Sequence, residues 1–267
     1  MQISGCIKIA LITVLLCLQA QIASAATEIQ WLDLGEDLQT TELADSVSSG
    51  IFQARFIFVR SSLKRYSLSV IRAEDFGRKR ANVETLCNLA KGSACINANF
   101  FDEKGDPLGL VVNKANVYRK MHWGGKTLNG VFLSTRSGPI ITNRAEAPIS
   151  IALDAIQAGP ILIENSKIVE GIRESSPASR RSGICINRSG DLLFFIATAN
   201  FSKIPIEAVQ AILKRPGIDC VSALNLDGGG SAQLFVNPNV GNIMSSYETL
   251  YIVGRDEVPV VLCLRLN

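Results

Sequence analysis

The run Pro205-Ile206-Glu207-Ala208-Val209-Gln210-Ala211-Ile212-Leu213-Lys214, closed by Pro216-Gly217 and followed by Ser222-Ala223-Leu224-Asn225-Leu226, decides the fold class. Ile206, Val209, Ile212 and Leu213 recur at helical spacing, Pro205 suits the start of a helix, and Pro216-Gly217 ends it. The spacing therefore predicts a helix over Ile206–Lys214 that leads straight into a short apolar strand. Outward from there, only Val83–Lys91 repeats the helical pattern. Strands are predicted instead at Phe52–Val59, Tyr66–Arg72, Ala94–Asn97, Leu108–Val112, Gly130–Ser134, Pro139–Thr142, Ala158–Ile163, Gly183–Asn187, Leu192–Thr198, Ser222–Leu226, Ala232–Val236, Leu250–Val253 and Val258–Leu264. Many strands, few helices and no regular βα alternation imply an α+β fold: a single domain with a large mixed, mostly antiparallel sheet.

A chain of 267 residues with 47% hydrophobic and 19% charged content is globular, not disordered or collagen-like. Residues 1–25 read as a signal peptide: Lys8, an apolar run from Ile9 to Leu18, and Ala23-Ser24-Ala25 as the cleavage site. Export is expected, to the periplasm or the exterior, with no stable membrane span after cleavage. Residues 26–49 form an acidic, Ser/Thr-containing lead-in with Trp31-Leu32-Asp33-Leu34 as an expected edge strand, and 50–267 the domain. The net charge of +3 includes Lys8, and a remainder this small and evenly spread excludes a nucleic-acid footprint. The oligomeric state has no signature.

Cys87, Cys95, Cys185, Cys220 and Cys263 remain after the signal, an odd number. Two bridges and a free thiol are one reading. The apolar flanks of Cys185 and Cys263 favour the other, in which cysteine serves as a small buried hydrophobe. If any pair forms, Cys87–Cys95 is the expected one. No Cys-x-x-Cys or His/Cys cluster suggests structural zinc, and no cofactor is expected. A divalent cation shared by Asp102 and Asp227 is the metal alternative, in a ligand-poor setting.

The most unusual text is Leu224-Asn225-Leu226-Asp227-Gly228-Gly229-Gly230-Ser231, where an apolar strand delivers an aspartate and then three glycines. A hairpin turn needs fewer. Glycines without Cβ can turn their N–H groups into a concave nest for an anion. A second strand end, Asn97-Ala98-Asn99-Phe100-Phe101-Asp102, groups amides and a carboxylate suited to sugar hydroxyls or to an Asx-rich turn. Gln157 sits among small residues. Arg180-Arg181 could aim a guanidinium at phosphate, or form a solvated loop. His122 is the only histidine, and with no Gly-x-Ser-x-Gly elbow a Ser/His/Asp triad is not expected.

Together with Pro107–Leu110, Asn129-Gly130-Val131-Phe132, Gln157-Ala158-Gly159-Pro160 and Arg181-Ser182-Gly183-Ile184, these segments resemble the phosphodiester glycosidase family over about residues 50–240. Asn97-Ala98-Asn99-Phe100-Phe101 departs from the family's usual Asn-Gly-Gly-Phe-Phe. The resemblance implies hydrolysis of sugar-1-phosphodiesters in a phosphate-linked glycan. It implies Asp227 as nucleophile or base, Asp102 as the second choice, and Arg181 with the Gly228, Gly229 and Gly230 amides on the phosphate. Asn97, Asn99, His122, Asn129, Gln157 and Ser231 are then candidates for substrate binding. A carbohydrate-binding module of the same fold without turnover is the alternative.

Overall fold

The computed structural model describes residues 28–46, 53–173, 178–200, 202–241 and 250–267. The proposed signal peptide, Cys6 and Cys17 lie outside them. Strands are numbered here in chain order. Eight form one sheet, in the spatial order β1 (Leu32–Gly35), β2 (Leu38–Ser46), β3 (Gln53–Ser61), β14 (Leu192–Thr198), β13 (Arg180–Asn187), β15 (Cys220–Asn225), β11 (Ile161–Glu164) and β12 (Lys167–Ile168). A second sheet runs β7 (Asn116–Arg119), β6 (Val111–Asn113), β10 (Asp154–Ala158), β8 (Gly130–Thr135) and β9 (Gly138–Asn143). The third runs β17 (Tyr251–Ile252), β16 (Leu234–Val236), β5 (Ala94–Asn97), β18 (Val260–Leu266) and β4 (Tyr66–Arg72).

The expected α+β class, rich in antiparallel strands and poor in helix, is what the structure has. Two details differ. The strands divide among three sheets instead of one, and every described pairing is antiparallel. The stretch read as a lead-in contributes β1 and β2, and β2 pairs with β3 from Leu38↔Ser61 to Ser46↔Gln53. Its Ser/Thr-rich text concealed alternation with one apolar side chain, Leu38, wholly buried.

All three sheets supply one core. Ile57, Ile184, Phe194 and Leu224 of the first meet Phe132 and Ile156 of the second and Ile96 and Leu262 of the third. Strand β14 reads as a continuous apolar run because it is buried from Leu192 to Ala197 on both faces. Helix α1 (Val83–Ala90) is capped by Asn82, whose side chain accepts from Thr85 N at 2.8 Å, and packs Val83, Leu86 and Cys87 on Phe235 and Val261. Helix α2 (Ile206–Leu213) buries Ile206, Val209, Ile212 and Leu213, the apolar positions read from the sequence. Both helices fall within a residue of their expected ends.

Cysteine chemistry departs from the sequence reading. Cys185 on β13 is bonded to Cys220 on β15, so it is a cross-link and not merely a small hydrophobe. Cys95 on β5 has two partners in bonding reach: Cys87 on α1, the expected one, and Cys263 on β18. Sulfur valence allows one of these bonds at a time. Among the described residues no helix is long and apolar enough to cross a membrane.

Candidate active site

Strand β15 delivers Asp227 just past its end, and four hydrogen bonds fix the backbone there. Leu226 N donates to Ser182 O at 2.9 Å and Asp227 N to Ala98 O at 3.1 Å. The Asp227 carbonyl accepts from Asn97 Nδ2 at 2.7 Å and Ser182 Oγ at 2.8 Å. The chain then turns through Gly228 and a short 3-10 turn, Gly229–Ser231, with Gly229 at φ +60°. Gly230 O accepts from Arg255 N at 2.7 Å and Asp256 N at 3.1 Å, which ties the turn to a second segment.

Burial dominates the electrostatics of Asp227 and pushes its carboxyl up to about 6. The Ser231 hydroxyl and the Gly228 N–H bond the carboxyl and oppose that rise, while the neighbouring Asp256 carboxylate adds to it. A group at that value changes protonation close to neutral pH, which suits a general base; as a nucleophile it would act in its ionised form above about pH 6. Arg180 borders the same turn: its Nη2 donates to Ala232 O at 2.8 Å, and burial, then Arg255, pulls its pKa down.

A cavity of about 780 Å³ adjoins this strand end. Asn225 lines it, and Asp227 follows two residues further on without being a wall residue itself. Its charged walls are Lys126, Arg144, Arg173 and Arg181 against Glu170, a setting that favours an anionic occupant.

Several expected binding residues turn out to be internal supports. Gln157 is fully buried with every amide valence used: Oε1 accepts from Leu110 N (3.1 Å) and His122 N (2.8 Å), and Nε2 donates to His122 O (2.7 Å) and Leu128 O (2.8 Å). It has nothing left for a substrate. Asn99 is likewise buried, its Nδ2 on Leu110 O and Gln157 O. Asn97 spans the Asp227–Gln233 turn, donating to Asp227 O and accepting from Gln233 N. The small residues beside Gln157 serve close packing, since a Cβ on Gly159 would strike the Thr127 carbonyl.

Asp102 takes the turn reading: Oδ1 accepts from Asp106 N at 2.8 Å and its own N–H bonds Asp106 O. It joins no group of three converging ligands with Asp227; among the described residues the only such group is Cys87, Cys95 and Cys263. Arg181 lines the cavity, and its Nε and Nη2 both donate to Ile204 O, at 3.0 and 2.9 Å, so one edge of the guanidinium holds a loop. Asn129 does reach the cavity, with Oδ1 occupied by Ile161 N. His122 is exposed on a loop whose neighbours Gly125, Lys126 and Thr127 line the cavity. Ser231 and Gly228 contact the Asp227 carboxyl directly. Sequence reasoning missed Asp256 and Ser182. Ser182 stands inside the Arg-Ser-Gly-Ile segment, whereas nothing in the text around Asp256 marks it.

An aspartate poised at a glycine turn, beside a cationic cavity, is matched by the phosphodiester glycosidase family model over residues 90–264. The chain belongs to the phosphodiester glycosidase family. It is 29% identical over 214 residues to human N-acetylglucosamine-1-phosphodiester alpha-N-acetylglucosaminidase, covering 70% of this chain and 40% of that protein. The chain thus spans well under half the length of this relative. The catalytic domain of the zebrafish enzyme of that name, auto-inhibited by its pro-peptide, superposes with a TM-score of 0.64 at 19% identity, over 89% of this chain and 87% of the other. A hypothetical protein from Synechocystis superposes at 0.62 and 16% identity, over 91% of this chain and 64% of its own. These two likenesses describe the fold.

Proposed function

We propose that this member of the family is an exported hydrolase that cleaves the bond between an anomeric carbon and phosphate in sugar-1-phosphodiesters of phosphate-linked glycans. The observation that carries the proposal is Asp227: a half-buried carboxyl pushed up to about 6 by desolvation, its backbone locked just past the end of β15, next to a cation-lined cavity. Ionised, it attacks the anomeric carbon or takes the proton of an attacking water. The leaving phosphate monoester departs as a stabilised anion, so no strong general acid is demanded. Cationic walls, with Lys126 and Arg173 at the cavity, oppose the developing charge. No atom lies within 4 Å of where a Gly229 Cβ would stand, which leaves room for phosphate against the turn.

The test is incubation of the mature protein with a panel of sugar-1-phosphodiesters, beginning with N-acetylglucosamine-1-phosphodiesters, the substrate class in the human relative's name. Release of reducing sugar by wild type and none by Asp227→Asn supports the reading. Tight binding of a panel member without product over long incubation assigns the chain to the non-catalytic alternative.

A further inference from the structure

Between Pro107 and Ala145 the sequence holds Lys114, Arg119, Lys120, Lys126, Arg136 and Arg144 and not one aspartate or glutamate, although the whole chain carries only +3. Much of this segment is displayed. Strand β7 is an edge strand exposed at every residue, Lys120 is exposed after it, and Trp123 stands 64% exposed on the loop that follows. Arg72 stacks over Tyr118 with its guanidinium carbon 3.5 Å from the ring centroid; because Arg72 is itself ion-paired with Glu74 and Asp75, it steadies the ring and adds no free charge to the strip.

The loop that carries Trp123 is held from within. Arg144 Nη1 donates to Gly124 O (2.9 Å) and Leu128 O (3.1 Å), Nη2 donates to Gly125 O (2.8 Å), and Gln157 grips His122 at both N and O. Hydrogen bonds to these carbonyls fix the backbone on either side of Trp123 while its ring faces water. The loop continues into the cavity wall through Gly125, Lys126 and Thr127. Trp123 on this held loop, the exposed Arg119 and Lys120 before it and Lys126 after it thus follow one another along a chain path that leads into the cavity wall.

We propose that β7 and residues 120–126 form an outer binding strip for a polyanionic glycan whose end enters the cavity, so that the preferred substrate is a polymer of phosphodiester-linked sugars and not a single unit. This rests on the phosphodiester reading above. The flat indole of Trp123 suits the C–H face of a pyranose, and Arg119, Lys120 and Lys126 suit successive phosphates. Each exposed contact is weak alone, but linked contacts raise the effective concentration of the chain end at the cavity. Charge contacts this exposed are screened beyond roughly 10 Å at 0.1 M salt.

The experiment measures kcat/KM on synthetic poly(glycosyl phosphates) from one repeat to several, at low and high salt. The comparison is with Arg119→Gln/Lys120→Gln/Trp123→Ala, three exposed changes that leave the core and cavity untouched. Wild type should gain roughly tenfold from the shortest to the longest substrate and lose that gain at high salt. The triple variant should keep wild-type kcat/KM on the single unit and lose the length dependence. An unchanged length dependence in the variant, or none in wild type, overturns the strip. If no length is hydrolysed, the activity reading has failed by itself, and titration of the longest polymer then decides the strip: equal affinity of both proteins overturns it. Binding to phosphatidylglycerol vesicles that exceeds binding to the polymer also overturns it, assigning the strip to a lipid surface.

Discussion

Asn97 Nδ2 and the Asp227 carbonyl lie 2.7 Å apart, joining the end of β5 in one sheet to the end of β15 in another. The same amide accepts from Gln233 N at 3.1 Å, so one fully buried side chain grips the Asp227–Gln233 turn at both ends. Asn97→Ala leaves Gln233 N unpaired and removes one of two bonds to the Asp227 carbonyl. The expected cost is about 1–3 kcal/mol in urea unfolding. Turnover per folded molecule should also fall, because the carboxyl is no longer fixed. Full specific activity in the folded fraction would reduce Asn97 to a packing residue.

Asp227 itself gives a pH signature. With its carboxyl at about 6 in the folded protein and near 3.8 when free, the folded state holds the proton more tightly. Stability therefore falls as pH rises from about 4 to 6, and the ionised carboxyl costs up to about 3 kcal/mol above that window. Asp227→Asn should accordingly raise the melting temperature at pH 7.5, with the gain shrinking toward pH 4. Hydrolysis should fall by about 10³-fold or more in that variant. In wild type, kcat/KM should rise with pH through about 6; a profile flat from pH 5 to 7 would deny Asp227 the base or nucleophile role.

Periodicity and turn chemistry were enough to place the helices, most strands and the Asp227 turn in advance, because these are local properties. Partner choice was not local. Gln157 and the Asn99 Nδ2 look in sequence like sugar-binding groups, but the carbonyls they donate to, those of His122, Leu128 and Leu110, come from other segments brought together only by the second sheet. The sequence does not separate Arg180 from Arg181, but adjacent strand residues face opposite ways: Arg180 reaches the Ala232 carbonyl and Arg181 the Ile204 carbonyl. β1 overlaps the edge strand expected at Trp31–Leu34, whereas β2 is not legible in the text because its burial comes from pairing with β3 and not from its own apolar content.

Arg181→Lys separates a loop-holding role from a phosphate-binding one. A lysine offers a point charge where the guanidinium places two nitrogens on Ile204 O. The variant should lose about 1–2 kcal/mol of stability through that buried contact. Its fall in kcat/KM should appear equally on a phosphodiester and on an aryl glycoside without phosphate. A loss confined to the phosphodiester would restore Arg181 as the phosphate ligand.

The odd cysteine count predicts one thiol in the oxidised mature chain. Cys185 and Cys220 are bonded, and Cys95 satisfies either Cys87 or Cys263, leaving the other reduced. All five are fully buried. Titration with a thiol reagent should therefore read none in the native protein and one after unfolding without reductant. Three thiols on unfolding would mean that the Cys87, Cys95 and Cys263 cluster is not oxidised.

Gly229 offers the sharpest separation of activity from stability. Its φ of +60° lies in the left-handed region, and a Cβ there would meet no atom within 4 Å. Gly229→Ala therefore carries only a backbone cost of roughly 1–2 kcal/mol, without a clash against the protein. If phosphate sits against the turn, however, the methyl stands where the anion must approach, and kcat/KM should drop far more than the small fall in melting temperature suggests. Gly230→Ala is the contrasting variant. Its Cβ would collide with the Asp256 carboxylate, so it should displace that side chain and alter the pH dependence of Asp227 as well as the rate. A plain hairpin predicts the opposite for Gly229→Ala, lowered stability with normal turnover in the folded fraction. Melting temperature and kcat/KM measured on one preparation of each variant distinguish the two, and normal specific activity of Gly229→Ala would remove the turn from the phosphate site.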